Sequence, residues 1–203
     1  MTIDSKKKLR RLLREKRLCL TSIEQKKLSA CINRSLLKLP EFQISNKIAV
    51  YLSQENEVDL SSFINQSWKM RKTLYLPVLD QIKKRTMKFC LYQPQNQLTP
   101  NQMGILEPPS GVDREIDPAM LDLVLIPLVG FDICGHRLGR GGGYYDIAFM
   151  FCKENMLKPD PRLIGVAYEF QKIKHINKDE SDVCLHQVVT EEKVYHFEKI
   201  KTQ

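Results

Sequence analysis

Hydrophobic residues along this chain recur with two different spacings, which alternate from one segment to the next. Apolar residues three and four positions apart predict amphipathic helices over residues 5–18, 21–39, 59–70 and 144–153. Short, nearly continuous apolar runs predict buried strands. These runs cover residues 47–52, 73–77, 87–92, 121–128, 163–168, 187–190 and 194–197.

Local signals indicate how the first two helices begin and end. Asp4 or Ser5 can cap the first helix, and a capping box formed by Thr21 and Glu24 opens the second. Pro40 ends the second helix because proline cannot donate the next backbone hydrogen bond. Three residues of the first helix recur at helical spacing and are predicted to face the core: Leu9, Leu12 and Leu13.

Strands that alternate with helices predict an α/β fold, here a single three-layer α/β/α domain with a mainly parallel central sheet. Residues 93–118 are rich in Pro, Gln and Asn and are predicted to form a long loop with little regular structure. In such folds ligands bind beyond the carboxyl ends of the strands. A site is therefore expected among the loop 52–57, the segment 135–143 and the loop after Tyr168.

Length and charge narrow the function classes. The 203 residues, 42 % of them hydrophobic, suit one domain with a real core, spanning residues 1–203. The formal net charge is +8, but the first 17 residues alone, with eight basic and two acidic residues, carry +6. The remaining surface is nearly neutral, unlike a uniformly basic nucleic-acid-binding protein. A single basic helix fits a nucleic acid, an anionic membrane or one polyanionic ligand.

The chain carries no sign of secretion or membrane insertion. No segment approaches the roughly 20 consecutive apolar residues of a membrane span, and the N-terminus lacks the apolar run of a signal peptide. The six cysteines are scattered without a C-x-x-C pair, which indicates free thiols and argues against a structural zinc site. A cytoplasmic protein is predicted.

Five of the nine glycines lie in the run Gly-His-Arg-Leu-Gly-Arg-Gly-Gly-Gly-Tyr-Tyr-Asp at residues 135–146. This run, called the glycine loop below, follows a predicted strand and leads into a predicted helix. Its bare backbone N–H groups and the helix N-terminus can therefore bind an anion. Arg137 and Arg140 add positive charge and Asp146 adds a carboxylate, a combination suited to a polyphosphate and its metal. Neither G-x-x-x-x-G-K-[ST] nor G-x-G-x-x-G is present, because Tyr144 replaces the last glycine of the latter.

Each of these features also has a purely structural interpretation. The glycines could form a plain turn, Asp146 could cap its own helix, and Tyr144 and Tyr145 could be core aromatics. Three basic residues at a spacing of four line one face of the first helix: Lys6, Arg10 and Arg14. That face could equally be a solvated surface or an anion-binding surface.

The run Arg-Leu-Gly-Arg-Gly-Gly-Gly-Tyr-Tyr-Asp at residues 137–146 resembles the signature of the 5-formyltetrahydrofolate cyclo-ligase family, also called 5,10-methenyltetrahydrofolate synthetase. Further segments resemble the family in the right order along nearly the whole chain. They cover residues 6–10, 51–57, 104–108, 126–132, 165–171 and 182–191.

The resemblance implies a Rossmann-like fold similar to the sugar-phosphate isomerase and CoA-transferase type. It also implies conversion of 5-formyltetrahydrofolate to 5,10-methenyltetrahydrofolate with ATP as co-substrate and Mg²⁺ as cofactor. In such a reaction the formyl oxygen is phosphorylated, N10 attacks the activated carbon, and phosphate leaves. The expected partners are ATP and 5-formyltetrahydrofolate, with or without a polyglutamate tail. A monomer without nucleic-acid or membrane partners is expected.

The resemblance further assigns roles to individual residues. Arg140 and Tyr145 would be catalytic, and Asp146 and Asp182 would hold Mg²⁺. The folate would contact Leu52, Glu57, Tyr92, Arg140 and Tyr144. The basic helix, residues 1–18, and the glycine loop would bind ATP through Lys6, Arg10, Arg14, Arg137, Leu138, Gly139, Arg140, Gly141, Gly142, Gly143, Tyr144 and Tyr145.

Two other classes of function stay open from the residues alone. The basic first helix could mark a nucleic-acid-binding or regulatory domain that has kept the fold and lost the enzyme. The chain could also be a sugar-phosphate or acyl-CoA enzyme on a similar scaffold, since fold alone does not fix function. None of the four histidines is assigned a role, and His186 reads as a surface or strand histidine.

Overall fold

The structure is a computed structural model that describes residues 3–80, 85–101, 104–153 and 161–197. These residues form twelve short strands. Their bounds are β1 (Lys47–Ala49), β2 (Thr73–Leu79), β3 (Met87–Tyr92), β4 (Thr99–Pro100), β5 (Leu106–Glu107), β6 (Glu115–Ile116), β7 (Leu123–Pro127), β8 (Gly130–Phe131), β9 (Arg137–Leu138), β10 (Arg162–Val166), β11 (Gln187–Val189) and β12 (Val194–His196). Eight of them form one sheet in the order β12-β11-β10-β7-β1-β2-β3-β6. The other four form the hairpins β4–β5 and β8–β9.

The centre of the sheet is parallel and its edges are antiparallel. All pairings from β11 to β2 are parallel, whereas β12, β3 and β6 each pair antiparallel with the strand beside them. The sheet and its helices thus form a single α/β domain with a mainly parallel sheet, as the alternation of patterns predicts.

In the described part of the chain, five α-helices accompany the sheet: α1 (Ile3–Leu18), α2 (Ser22–Lys38), α3 (Pro40–Ile44), α4 (Ser61–Lys69) and α5 (Tyr144–Ala148). The predicted capping box is present at the start of α2. The Glu24 backbone N–H donates to Thr21 Oγ1 over 3.2 Å, and the Thr21 N–H donates to Glu24 Oε2 over 2.8 Å. Pro40 ends α2 and opens α3, where its fixed backbone angle suits the first turn.

Alternating side chains of the parallel strands enter two separate cores. Ile48 of β1 packs on one face with helices α2, α3 and α4, including Ile32 and Phe63. Ala49 points to the other face, where Phe149 after α5 is fully buried. Because both faces are covered, the strands read as continuous apolar runs rather than alternating ones. A third, smaller core joins α1 to the β8–β9 hairpin through Leu9, Leu13, Val129, Leu138 and Ile176.

The structure corrects three details of the predicted elements. Residues 93–118 are not one loop, because they contain β4, β5 and the edge strand β6. The helix predicted over residues 144–153 ends at Ala148 and continues only as a tighter turn over Met150–Lys153, in a stretch whose aromatic residues are weak helix formers. Leu12 is exposed on α1, whereas Leu13 is buried and Leu9 packs against the small core.

His186 has a structural role between two strands. Its side chain is buried, and its Nδ1 accepts a hydrogen bond from the Leu163 backbone N–H over 3.0 Å. Its own backbone N–H donates to the Leu163 carbonyl over 2.9 Å. The residue therefore links β10 to the start of β11 and lies inside the sheet rather than at a site.

The cysteines do not cross-link the fold. All six are free thiols, and Cys19 and Cys134 are exposed. Within the four described ranges, no helix is both long enough and apolar enough to cross a membrane.

Gly165 is the tightest point of β10. A Cβ there would lie 2.7 Å from both Leu128 Cδ2 and Leu185 Cδ1, and 2.9 Å from Val188 Cγ2. We expect Gly165→Ala to lower the free energy of unfolding by about 1–3 kcal/mol, because the packed core must shift to admit the methyl group. Urea denaturation measures this change.

Gly111→Ala is the matched control, since nothing lies within 4 Å of a Cβ at Gly111. Its free energy of unfolding should change by no more than about 0.5 kcal/mol. Equal stability of the two variants would show that β10 is not packed as described.

Candidate active site

A cleft of about 690 Å³ opens at the carboxyl edge of the parallel strands. Tyr51 and Leu52 follow β1, Pro77 and Leu79 end β2, and Leu128 follows β7, and all five line the cleft. This is the edge at which open α/β sheets bind ligands. The loop 52–57 and the segment 135–143 thus meet at this cleft as predicted, whereas the loop directly after Tyr168 does not line it.

The glycine loop forms one wall of the cleft and has a backbone that only glycine adopts without strain. Gly141 and Gly143 have φ angles of 105° and 71°, in the region that side chains disfavour. Arg10 of α1 packs against this loop, and its Nε donates to the Gly139 carbonyl over 2.9 Å. Because α5 has only five residues, its dipole is short, and charged side chains carry most of the positive potential here.

Cationic side chains from two distant parts of the chain meet in the cleft. Lys6 and Arg10 come from α1, and Arg137 and Arg140 come from the glycine loop. The basic helix and the glycine loop therefore lie together, as expected, because side chains of both line the same cleft. The remaining loop residues expected at the ATP site line the same cleft: Leu138, Gly139, Gly141, Gly142, Gly143, Tyr144 and Tyr145.

Arg14 does not join them. It lies one helical turn beyond Arg10, outside the lining of the cleft, and its Nε donates to Glu55 Oε2 over 3.1 Å. This pairing holds the pKa of Glu55 below its ordinary value against the opposing effect of partial burial, with help from Arg140 and Arg17. The expected contact of Arg14 with ATP is thus not supported by the structure.

Glu57 supplies a buried negative charge to the cleft. Its Oε1 accepts a hydrogen bond from Arg140 Nη2 over 2.9 Å, and its Oε2 accepts one from the Gln54 backbone N–H over 3.1 Å. The Gln54 side chain also accepts from Arg140 Nη1, over 2.8 Å. Glu57 and Leu52, both expected at the folate, therefore lie beside the glycine loop.

Arg17 completes this group and was missed by sequence reasoning. Its side chain is only 1 % exposed, its Nε donates to the Glu55 carbonyl over 2.9 Å, and its Nη1 lies 3.6 Å from Glu57 Oε1. Burial lowers the pKa of Arg17 from its ordinary value, and the charge of Glu57 opposes this effect. The signal was its position four residues after Leu13, on the core-facing side of α1.

Two aspartates expected to hold a metal line the same cleft. Asp146 Oδ1 accepts from Arg137 Nη2 over 2.5 Å and from the Val183 backbone N–H over 3.1 Å, so it joins the loop to the segment of Asp182 rather than capping α5. Asp182 Oδ2 accepts from the Asp179 N–H over 2.9 Å. Two carboxylates that line a cleft together with cationic side chains fit Mg²⁺, which usually takes one or two carboxylates together with substrate phosphates.

Tyr145 is held as a neutral phenol. Burial raises its pKa well above the ordinary value, and the negative charge of Glu57 raises it further. Its ring stacks on Phe149 at a centroid distance of 6.4 Å, so one side belongs to the core while the residue still lines the cleft. It can donate a hydrogen bond but cannot act as a base near neutral pH.

Tyr92 lies at the wrong edge of the sheet for the role expected of it. Because β3 runs antiparallel to β2, Tyr92 pairs with Leu74 near the amino end of β2, whereas Met87 is beside the cleft. The Tyr92 ring packs on Trp68 at a centroid distance of 5.0 Å. The structure does not bring Tyr92 to the cleft, which corrects the expectation of a folate contact there.

A second wall of the cleft is apolar and was not predicted. It comes from β2, β3 and the segment before β5, and Arg85 adds a positive charge to it. Its apolar members are Leu76, Pro77, Leu79, Met87, Ile105 and Leu106.

Comparison with known proteins decides the family. The sequence profile of the 5-formyltetrahydrofolate cyclo-ligase family matches residues 2–191. The chain belongs to this family. It is 32 % identical to the 5-formyltetrahydrofolate cyclo-ligase of Escherichia coli over 186 residues, which cover 92 % of this chain and 100 % of the relative. It is 31 % identical to that of Haemophilus influenzae over 93 % of this chain and 99 % of the relative.

Solved structures of cyclo-ligases share the fold. The NMR structure of Aquifex aeolicus 5,10-methenyltetrahydrofolate synthetase matches with a TM-score of 0.80 and 31 % identity, over 98 % of this chain and 95 % of that one. The Mycoplasma pneumoniae 5,10-methenyltetrahydrofolate synthetase matches with a TM-score of 0.71 and 28 % identity, over 92 % and 98 %. The protein is thus a ligase of the cyclo-ligase family, and the cleft is its candidate active site.

The buried position of Arg17 leads to a stability prediction for this cyclo-ligase. Arg17→Met should lower the free energy of unfolding by about 2–4 kcal/mol, because Glu57 and the Glu55 carbonyl lose a buried partner. Chemical denaturation measures the change.

Arg11→Met is the matched control on the same helix. Arg11 is 71 % exposed and pairs only with Glu15, at 3.6 Å, so its loss should change stability by less than about 0.5 kcal/mol. If Arg17→Met were as stable as Arg11→Met, the buried charge group would not hold α1 to the cleft.

Proposed function

We propose that the protein converts 5-formyltetrahydrofolate to 5,10-methenyltetrahydrofolate and couples this ring closure to hydrolysis of ATP. The observation that carries the proposal is the meeting of Lys6 and Arg10 with Arg137 and Arg140 around one glycine loop. Four cations and exposed loop N–H groups suit a triphosphate. The names of the relatives support the folate part of the reaction.

The chemistry requires an activated formyl group. The oxygen of the N5-formyl group is a poor leaving group until it is phosphorylated. It takes the γ-phosphoryl group of ATP, and the bond between the γ-phosphorus and ADP breaks. N10 then forms a bond to the formyl carbon and loses its proton, and the carbon–oxygen bond breaks to release phosphate. The protein's contribution is mainly alignment and charge neutralisation, as in other phosphoryl transfers.

Arg140 is the residue proposed to neutralise charge on the transferred phosphoryl group. It pairs with Glu57 and Gln54 in the structure, which holds its guanidinium at the junction of the cationic and folate-facing walls. Tyr145 would act beside it as a neutral hydrogen-bond donor, since its raised pKa keeps the phenol protonated. Lys6 and Arg10 would bind phosphates of ATP from the side of α1.

Asp146 and Asp182 are proposed to hold Mg²⁺ together with phosphate oxygens. The metal, when bound, neutralises phosphate charge. Asp146 is already fixed by Arg137 and by the Val183 N–H, so its carboxylate is positioned before any ligand arrives. This fixed position distinguishes it from an exposed carboxylate that must be ordered on binding.

The apolar wall and Glu57 are proposed to bind the folate. The amino-pyrimidine edge of a pterin presents neighbouring N–H donors. A buried carboxylate such as that of Glu57 can accept hydrogen bonds from these donors. Leu52 and Tyr144 line the cleft beside it. Arg85 lies on the apolar wall, where a positive charge suits the carboxylates of the glutamate tail, with or without further glutamates.

We further propose that residues 1–203 act as one cyclo-ligase domain, as a monomer in the cytoplasm. Six free thiols support a reducing compartment. The nucleic-acid alternative has less support, because Arg14 of the basic helix pairs with Glu55 within the protein and the named relatives are folate enzymes. For the sugar-phosphate or acyl-CoA alternative, the named relatives offer no support.

A direct assay tests the proposed reaction. The purified protein with Mg²⁺ and ATP should raise the near-ultraviolet absorbance of methenyltetrahydrofolate when 5-formyltetrahydrofolate is added. Omitting ATP or Mg²⁺ should abolish the rise, and Asp146→Asn should reduce kcat by about 10²–10³-fold while keeping the fold. Absence of turnover with the 6S substrate across neutral pH would refute the function, and full activity of Asp146→Asn would refute the metal assignment.

Variants of neighbouring arginines test the ATP site. Arg10→Met should raise the KM for ATP by roughly tenfold, because it removes one charged phosphate contact from the cleft. Arg140→Met should instead lower kcat by about 10²-fold, since its charge is needed in the transition state. Initial rates at varied ATP concentration separate the two effects.

Arg11→Met serves again as the control, because Arg11 lies on α1 outside the cleft lining and should leave both constants unchanged. Equal effects of Arg10→Met and Arg11→Met would mean that α1 contributes only general positive charge.

A further inference from the structure

The β8–β9 hairpin carries a second cluster of reactive side chains, separate from the active-site cleft. Asp132, Cys134 and His136 each offer one potential ligand atom, and these atoms lie within 4.8 Å of one another. Within the described ranges this is the one group of three such residues that comes so close together. His175 approaches from another segment, with its Nδ1 at 3.8 Å from Asp132 Oδ2.

The backbone of the hairpin fixes Asp132 at the centre of this cluster. The Asp132 side chain is buried, and its Oδ1 accepts from the backbone N–H groups of Cys134 over 2.9 Å and His136 over 3.1 Å. Its Oδ2 accepts from the Ile176 N–H over 2.9 Å and lies 3.0 Å from His136 Nδ1. The same turn that satisfies the carboxylate places the thiol and the imidazole beside it.

A turn needs only the carboxylate, so the thiol and the second histidine are not explained by folding alone. The Asp132–His136 contact by itself could be a simple hydrogen bond that closes the hairpin. Cys134 adds an exposed thiol within 4.8 Å of the ligand atoms of Asp132 and His136, and His175 places its ring 6.4 Å from that of His136. Thiolate, imidazole and carboxylate together form a donor set that suits Zn²⁺ better than Mg²⁺.

We propose that Asp132, Cys134 and His136 bind one Zn²⁺ ion, with His175 as the fourth ligand. On binding, the Cys134 thiol loses its proton to solvent, and a ring nitrogen of His136 exchanges its contact with Asp132 for the metal. Asp132, Cys134 and His136 alternate along one turn of the sequence, and the fold adds His175 from another segment. The proposal does not depend on the proposed reaction.

The position of the site gives the ion a structural consequence. His136 immediately precedes Arg137 of the glycine loop and Cys134 lies two residues before His136, while His175 lies on the segment that continues to Asp179 and Asp182 of the cleft. A bound ion would join these two segments outside the lining of the cleft. It should therefore stabilise the folded protein without occupying the active site.

Cobalt and zinc titrations test the site. In chelator-treated protein, Co²⁺ should produce a sulfur-to-cobalt charge-transfer band, and one equivalent of Zn²⁺ should remove it and raise the Tm. Cys134→Ser should abolish the band and weaken Zn²⁺ binding by at least about tenfold, and His175→Asn should weaken binding without removing the band. Excess Mg²⁺ in every sample competes for sites made of carboxylates alone, so that the remaining Zn²⁺ binding reports on the thiolate and imidazole ligands.

Cys19→Ser is the matched control, because Cys19 is also an exposed free thiol but lies outside the cluster. It should bind both metals like the unchanged protein. Should Cys134→Ser fail to fold, alkylation of the unchanged protein gives the same answer, since Zn²⁺ should protect Cys134 but not Cys19 from iodoacetamide. Three results would overturn the proposal. They are a charge-transfer band that survives Cys134→Ser, equal alkylation of Cys134 and Cys19 in the presence of Zn²⁺, and no zinc binding at micromolar concentration.

Discussion

The buried carboxylate of Glu57 is the point at which the fold and the candidate active site meet. Arg140 approaches it from the glycine loop at 2.9 Å, and Arg17 approaches from α1 at 3.6 Å. A charge removed from water needs close partners of opposite sign, so these elements cannot separate without leaving an uncompensated charge. The interaction thus fixes α1 and the glycine loop against the end of β1, although they lie far apart in the chain.

The central fold could be predicted because its strands are buried on both faces. Ile48 and Ala49 enter different cores, which is why β1 reads as a continuous apolar run. The edges were harder, since β6 is only Glu115–Ile116 and has no such pattern. No direction was predicted for β3, yet a signal existed: the seven residues between Leu79 and Met87 are too few for a parallel crossover.

The candidate site, like the sheet, could be predicted only in part from the sequence. Lys6 and Arg10 follow from spacing on one helix face, but that face continues past the cleft, so Arg14 reaches Glu55 instead. Spacing shows which residues share a helix face, but not how far along that face the cleft extends. The role expected of Tyr92 was wrong because the direction of its strand was unknown. Arg17 could have been found as a charge on the core-facing side of α1.

Lys6 and Arg10 are not bare cations awaiting an anion. Lys6 holds Asp179 at 2.8 Å, and Arg10 holds the Gly139 carbonyl at 2.9 Å. A polyanion that binds these two cations, as proposed, has to displace the internal acceptors, which lowers its net affinity. Once it leaves, the same acceptors pair with the two side chains again. The empty cleft therefore does not have to hold two unpaired cations.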